Sequence, residues 1–110
     1  MSIPTSESLL LPLLRFVRDG ETRTLKEALS HLANLLDLSN KVLEELQPSG
    51  VQTKFEKRVG WARYYLGKAG YIRTVQRGKF AITKLGLEVL RNKSTKISIA
   101  QIEEQAARKK

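Results

Sequence analysis

Cysteine is absent from this chain, and histidine occurs once, at His31. No disulfide framework and no thiolate zinc site can be built, and one imidazole cannot assemble a transition-metal site. No apolar run approaches the roughly 18 residues that span a bilayer. The N-terminus has no basic segment leading into a long apolar stretch, so neither a membrane span nor a signal peptide is expected. Phosphate-cradling glycine loops are missing: neither G-x-x-x-x-G-K-S/T nor G-x-G-x-x-G occurs. Gln52-Thr53-Lys54 matches the Gln-x-Lys end of one nuclease motif, but no strand bearing an Asp precedes it, and the match is read as coincidence. No catalysis, no cofactor and no metal are therefore expected. A cysteine-free chain without a targeting segment is expected in the cytoplasm.

Negative charge is scarce in one region above all. Residues 51–93 hold eleven basic side chains and two acidic ones, Glu56 and Glu88. Residues 1–50 hold five basic and seven acidic side chains, so the formal net charge of +9 is concentrated in the second half. A pI near 10.1 points to a polyanionic partner. Anionic membrane is the competing polyanion, but the basic segment has no broad Leu/Phe face left for lipid. At 110 residues, 41% of them hydrophobic, the chain is long enough for one domain with a genuine core.

The apolar spacing predicts the elements. Leu9, Leu10, Leu13, Leu14 and Val17 form one stripe of a helix over about 6–18. Pro12 inside it means either a kink or a late start. Residues 21–24 form a link or a brief edge strand. Thr24 with Glu27 makes a capping box for a helix carrying Leu25, Ala28, Leu29, Leu32, Leu35 and Leu36. Ser39 opens a short helix with Val42, Leu43 and Leu46, stopped at Pro48-Ser49-Gly50. Thr53 with Glu56 makes a second capping box for a long helix over 53–69. Its core stripe is Phe55, Val59, Ala62, Leu66 and Ala69, and Gly70 closes it. Residues 71–75 and 79–82 make a hairpin around Gln76-Arg77-Gly78. Thr83 caps a last helix. Residues 98–110 could form a further helix with Ile99 and Ile102 as its only large apolar residues, and the tail is read as an extension outside the core. The expected fold is mainly α with a small β-hairpin, a winged helix-turn-helix. Residues 1–93 form the domain, and 94–110 a linker or C-terminal helical tail.

In this arrangement the long helix enters the major groove of double-stranded DNA and the wing, 71–82, lies on the backbone. The expected DNA-binding residues are Gln52, Thr53, Lys54, Lys57, Arg58, Tyr64 and Lys68 on the helix, and Arg73, Arg77 and Lys79 on the wing. The bland alternatives are a solvated basic face and the lysine protection of an exposed strand edge. Trp61 is expected to pack against a neighbouring element more than to touch DNA. Gly60 and Gly67 each cost a helix about 1 kcal/mol relative to Ala. Either a helix of the domain or a phosphate strand then approaches closely there, the domain being favoured. His31 falls beside its leucines and is expected on the surface.

The ordered motifs resemble a known family. Ile3-Pro4-Thr5 with Leu11-Pro12-Leu13-Leu14, then Ser49-Gly50, then Arg58-Val59-Gly60-Trp61-Ala62-Arg63 with Leu66 and Lys68-Ala69-Gly70, resemble the N-terminal domain of Mrr-type restriction endonucleases. Arg77-Gly78-Lys79-Phe80, Ile82-Thr83 and Gly86 are similar to its wing and last helix. The resemblance covers roughly residues 3–92. It implies a winged helix that targets a nuclease to DNA, methylated DNA in that family, with the nuclease in a separate C-terminal domain that this chain lacks. A nuclease domain in the parent protein and a homodimer are the protein partners kept open. The alternative readings are a protein-interaction winged helix and a stand-alone transcription regulator.

Overall fold

The computed structural model describes residues 4–44, 50, 52–91 and 97–108. Within them the order is α1 (Ser6–Phe16), β1 (Arg23–Thr24), α2 (Leu25–Leu35), α3 (Asn40–Leu43), α4 (Lys54–Lys68), β2 (Ile72–Gln76), β3 (Lys79–Ile82), α5 (Lys84–Arg91) and α6 (Ile99–Arg108). The expected Leu46, the Pro48-Ser49 stop and the 93/94 boundary lie outside the described residues.

Local capping explains why the helices begin where they do. Thr5 Oγ1 accepts from the Ser8 N–H at 3.1 Å, so α1 starts early and Pro12 sits inside it. Thr24 and Thr53 each complete a reciprocal box, with Glu27 and Glu56. Each box satisfies two backbone donors that a helix start would otherwise leave open. Ser39 caps α3. The left-handed Gly70 ends α4, with the Tyr71 N–H reaching back to the Leu66 carbonyl at 3.0 Å. Asp37, at the end of α2, takes the same left-handed role with a φ of 51°.

Leu9, Leu10, Leu13 and Leu14 of α1, with Val17 at its C-cap, share one buried core with Phe55, Val59, Ala62 and Leu66 of α4 and Ala28 and Leu32 of α2. That shared core fixes which side of α4 is left outward. The brief strand between α1 and α2 is β1, and it pairs antiparallel with β3. The sheet order is β1-β3-β2. The β2–β3 ladder slips between Thr74 and Gln76, a bulge that leaves Val75 at the surface near the Arg77-Gly78 turn. Helix, strand, two helices with a short one between, then a hairpin: this is the winged helix-turn-helix arrangement.

Two features differ from expectation. The close approach of backbone falls at Gly86, where a Cβ would press into the Tyr71 carbonyl. Thr83 holds this corner together: its hydroxyl donates to the Gly70 carbonyl and accepts from the Gly86 N–H. The other is the tail, which does not stand outside the core. Ile102 is 1% exposed and belongs to the core cluster, with Ile97 and Ile99 packed against it. Helix α6 lies against α4, and the Ile99 N–H donates to Glu7 Oε1 at 3.0 Å. The sequence shows only a thin apolar face here, and one buried side chain is enough to dock it.

Candidate nucleic-acid interface

The core stripe of α4 turns its opposite face to solvent. Lys57, Trp61, Tyr64 and Lys68 are all exposed there. Trp61 is 46% exposed and Tyr64 53%, so Trp61 is a surface residue and not a packed one. At ~100° per residue it lies roughly 135° round the helix from the core stripe. Tyr65 takes the half-buried edge position instead. The three rings lean on one another: Trp61 meets Tyr64 edge-on at 5.6 Å and Tyr65 at 6.0 Å. Lys68 Nζ stands 6.0 Å from the Tyr64 ring centroid. The face is therefore an aromatic ridge flanked by cations.

The start of α4 is more committed to the fold. Gln52 is exposed, but the Thr53 hydroxyl accepts from the Glu56 N–H at 3.1 Å and donates to Glu56 Oε1 at 2.9 Å. Arg58 Nη1 donates to the Pro4 carbonyl at 3.3 Å, which ties the chain start to α4. Lys54 is half-buried. On the wing, Arg73, Arg77 and Lys79 are exposed, with Arg77 at the turn. Among the described residues, none of Lys57, Lys68, Arg73, Arg77 and Lys79 forms an ion pair. Lys68 of the helix and Arg73 of the wing line one groove, so helix and wing share a cationic surface there.

Arg63 was not among the expected site residues, yet it joins helix to wing. Its guanidinium carbon lies 5.0 Å from the Phe80 ring centroid, and Nη2 donates to Thr74 Oγ1 at 3.4 Å. Thr74 and Phe80 are cross-strand partners, so one arginine grips both strands of the hairpin. Its Nε is closed off from solvent and unpartnered among the described residues. Beside it runs a groove of about 560 Å³, lined by Arg63, Tyr64, Gly67, Lys68, Ile72, Arg73 and Thr74. A shallower hollow of about 460 Å³ is lined by Lys57, Gly60, Trp61 and Tyr64. No heavy atom lies within 4 Å of where a Cβ on Gly60 or Gly67 would stand. The expectation that these glycines admit another element of the domain is therefore overturned: they open onto the surface.

The surroundings of Arg23, which pairs with Phe80 across β1 and β3, are different. Arg23 Nη2 meets Asp19 Oδ2 at 2.7 Å and Nη1 meets Glu27 Oε2 at 3.6 Å, while its guanidinium lies 5.3 Å from the Phe16 ring centroid. The Glu21 N–H, with Arg23, holds the Asp19 carboxyl below its ordinary pKa. The Thr24 N–H and hydroxyl do the same for Glu27, with Arg23 adding to the effect. Arg23 is raised, first by its bond to Asp19. His31 is exposed, as expected, and stacks on Phe16 at 4.4 Å.

Among the described residues no group of three or more His, Cys, Asp or Glu side chains could hold a metal ion. No helix among them is long and apolar enough to cross a membrane. A family model described as the Mrr N-terminal domain matches residues 7–92. Comparison with curated proteins and with solved structures finds no match.

Proposed function

This chain belongs to the Mrr N-terminal domain family, and from that premise we propose that it is the DNA-targeting module of an Mrr-like restriction system. Helix α4 enters the major groove with Lys57 and Tyr64 foremost, and Gln52 and Lys54 at its leading end. Arg73, Arg77 and Lys79 hold the backbone beside it. The observation that carries this reading is the groove shared by α4 and the wing, lined by Arg63, Lys68 and Arg73, with Lys57, Arg77 and Lys79 exposed and outside any ion pair among the described residues. Thr53 and Arg58 serve the interface by building it: one caps the helix, the other anchors it. The cutting chemistry belongs to a separate nuclease unit. Methylated duplex is the target class that this membership favours.

The decisive experiment is duplex binding across a salt series. Four to seven phosphate contacts predict a slope of log K against log salt of roughly −4 to −6. Affinity that stays flat from low to moderate salt rejects the reading. Methylated and unmethylated duplexes compared at fixed salt then test the target class, and equal affinity for both rejects methyl discrimination by this module.

A further inference from the structure

We propose that the groove between α4 and β2 is the seat of one backbone phosphodiester of the bound duplex, held by Arg63, Lys68 and Arg73 over Gly67. The inference rests on the DNA-binding reading above and names a site within it. A helix in the major groove is bounded by a sugar–phosphate strand, and a wing that holds the backbone beside that helix meets the same strand. The strand must therefore run through the space between α4 and the wing, which is where the groove lies.

The chemistry of the walls suits that occupant. Three cations line the groove and no acidic side chain does. Arg63 is pre-oriented by the Phe80 ring and by Thr74, and among the described residues that single bond from Nη2 leaves its other terminal donors unused. A planar guanidinium held in place is well matched to phosphate oxygens. Gly67 supplies the room. It stands mid-helix, where glycine is disfavoured, yet nothing lies within 4 Å of its missing Cβ. A side chain there would rise into the groove and close it to a polymer backbone.

That last point gives a test in which binding and folding move in opposite directions. Gly67→Leu is expected to keep or raise the thermal midpoint, since it adds helix propensity in open space. Duplex affinity is expected to fall about tenfold or more, with the salt slope shallower by about 0.9, the share of one phosphate contact. Arg63→Gln, which removes the guanidinium of a residue whose only proposed DNA contact is in the groove, is expected to shift affinity and slope in the same direction and decides the matter should Gly67→Leu fold poorly. A duplex series with single neutral methylphosphonate linkages should reveal a position that weakens wild type but no longer matters to Gly67→Leu. Wild type binding with the expected salt slope, while both variants bind equally well, overturns the groove assignment and leaves the DNA-binding reading standing. Absence of salt-dependent binding by wild type overturns both.

Discussion

Two arginines in this fold sit in nearly the same way and differ in what surrounds them. Arg23 lies over Phe16 and Arg63 over Phe80, and each has an Nε closed off from solvent and without a partner among the described residues. The similarity ends there. Arg23 is bracketed by Asp19 and Glu27, whereas Arg63 has only the neutral Thr74 hydroxyl. One corner neutralises its cation internally and belongs to the acidic half of the chain. The other leaves its cation uncompensated among the described residues, in the segment where basic side chains far outnumber acidic ones. The difference teaches that an arginine's ring contact says little about function. The carboxylates around it separate a cation spent on the fold from one left for a ligand.

The largest expected effect tests that division directly. Lys57→Ala combined with Arg77→Ala should weaken duplex binding roughly 30-fold or more, about 2 kcal/mol. Arg23→Gln should leave it within about twofold, because a compensated cation adds little to the field a phosphate meets. Fluorescence anisotropy at fixed salt measures both, and an equal loss in the two proteins would erase the distinction between the corners.

Stability should divide the same pair in the opposite sense. Arg23→Met strands two carboxylates and should lower the thermal midpoint at neutral pH. Arg63→Met keeps apolar cover over Phe80 while removing one positive charge from a crowded basic segment, so its midpoint should hold or rise. Melting curves at low and high salt check this, and a reversed order would show that Arg63 serves mainly the fold.

The acid limb is a finer probe. Asp19 and Glu27 have folded-state pKa values below their ordinary ones. Their contribution is fully present above the ordinary carboxylate range and is lost as pH falls through the lowered values. Arg23→Met should flatten that part of the stability profile only in part, because the Glu21 and Thr24 donors remain, and Arg63→Met should leave it unchanged. Denaturant midpoints taken from neutral to acid pH will show whether the flattening follows Arg23 alone. The smallest effect belongs to Asp37, whose left-handed backbone favours glycine. Asp37→Gly should stabilise by about 0.5–1 kcal/mol without altering duplex affinity. A change in affinity would mean that the acidic half also reaches DNA.

What the sequence revealed was local. Thr24–Glu27 and Thr53–Glu56 span three residues, so both capping boxes could be read from spacing alone. The Phe55-to-Leu66 stripe and the Arg77-Gly78 turn carry equally short-range signals. Contacts between distant segments were hidden. The bond from Arg58 to Pro4, 54 positions away, is invisible in the helical pattern that put Arg58 beside the outward face. Arg63 was passed over because its partners, Thr74 and Phe80, are set by the hairpin register and not by the helix. Gly60 and Gly67 announced a close approach, but a helical pattern cannot say whether the approaching body is protein or ligand. Trp61 was misplaced for a related reason: Tyr65 already fills the edge of the core that Trp61 was expected to share.

The docking of Ile102 has a consequence for where this module should be considered to end. Family likeness stops at residue 92, yet the buried interior continues to residue 102. The unit that similarity defines is thus smaller than the unit that folding defines. A protein trimmed to the matched segment would bare the patch of α4 that Ile102 covers, on the helix proposed to read DNA. Affinity measured on such a trimmed form would mix two quantities, the strength of the contact and the rigidity of the helix that makes it.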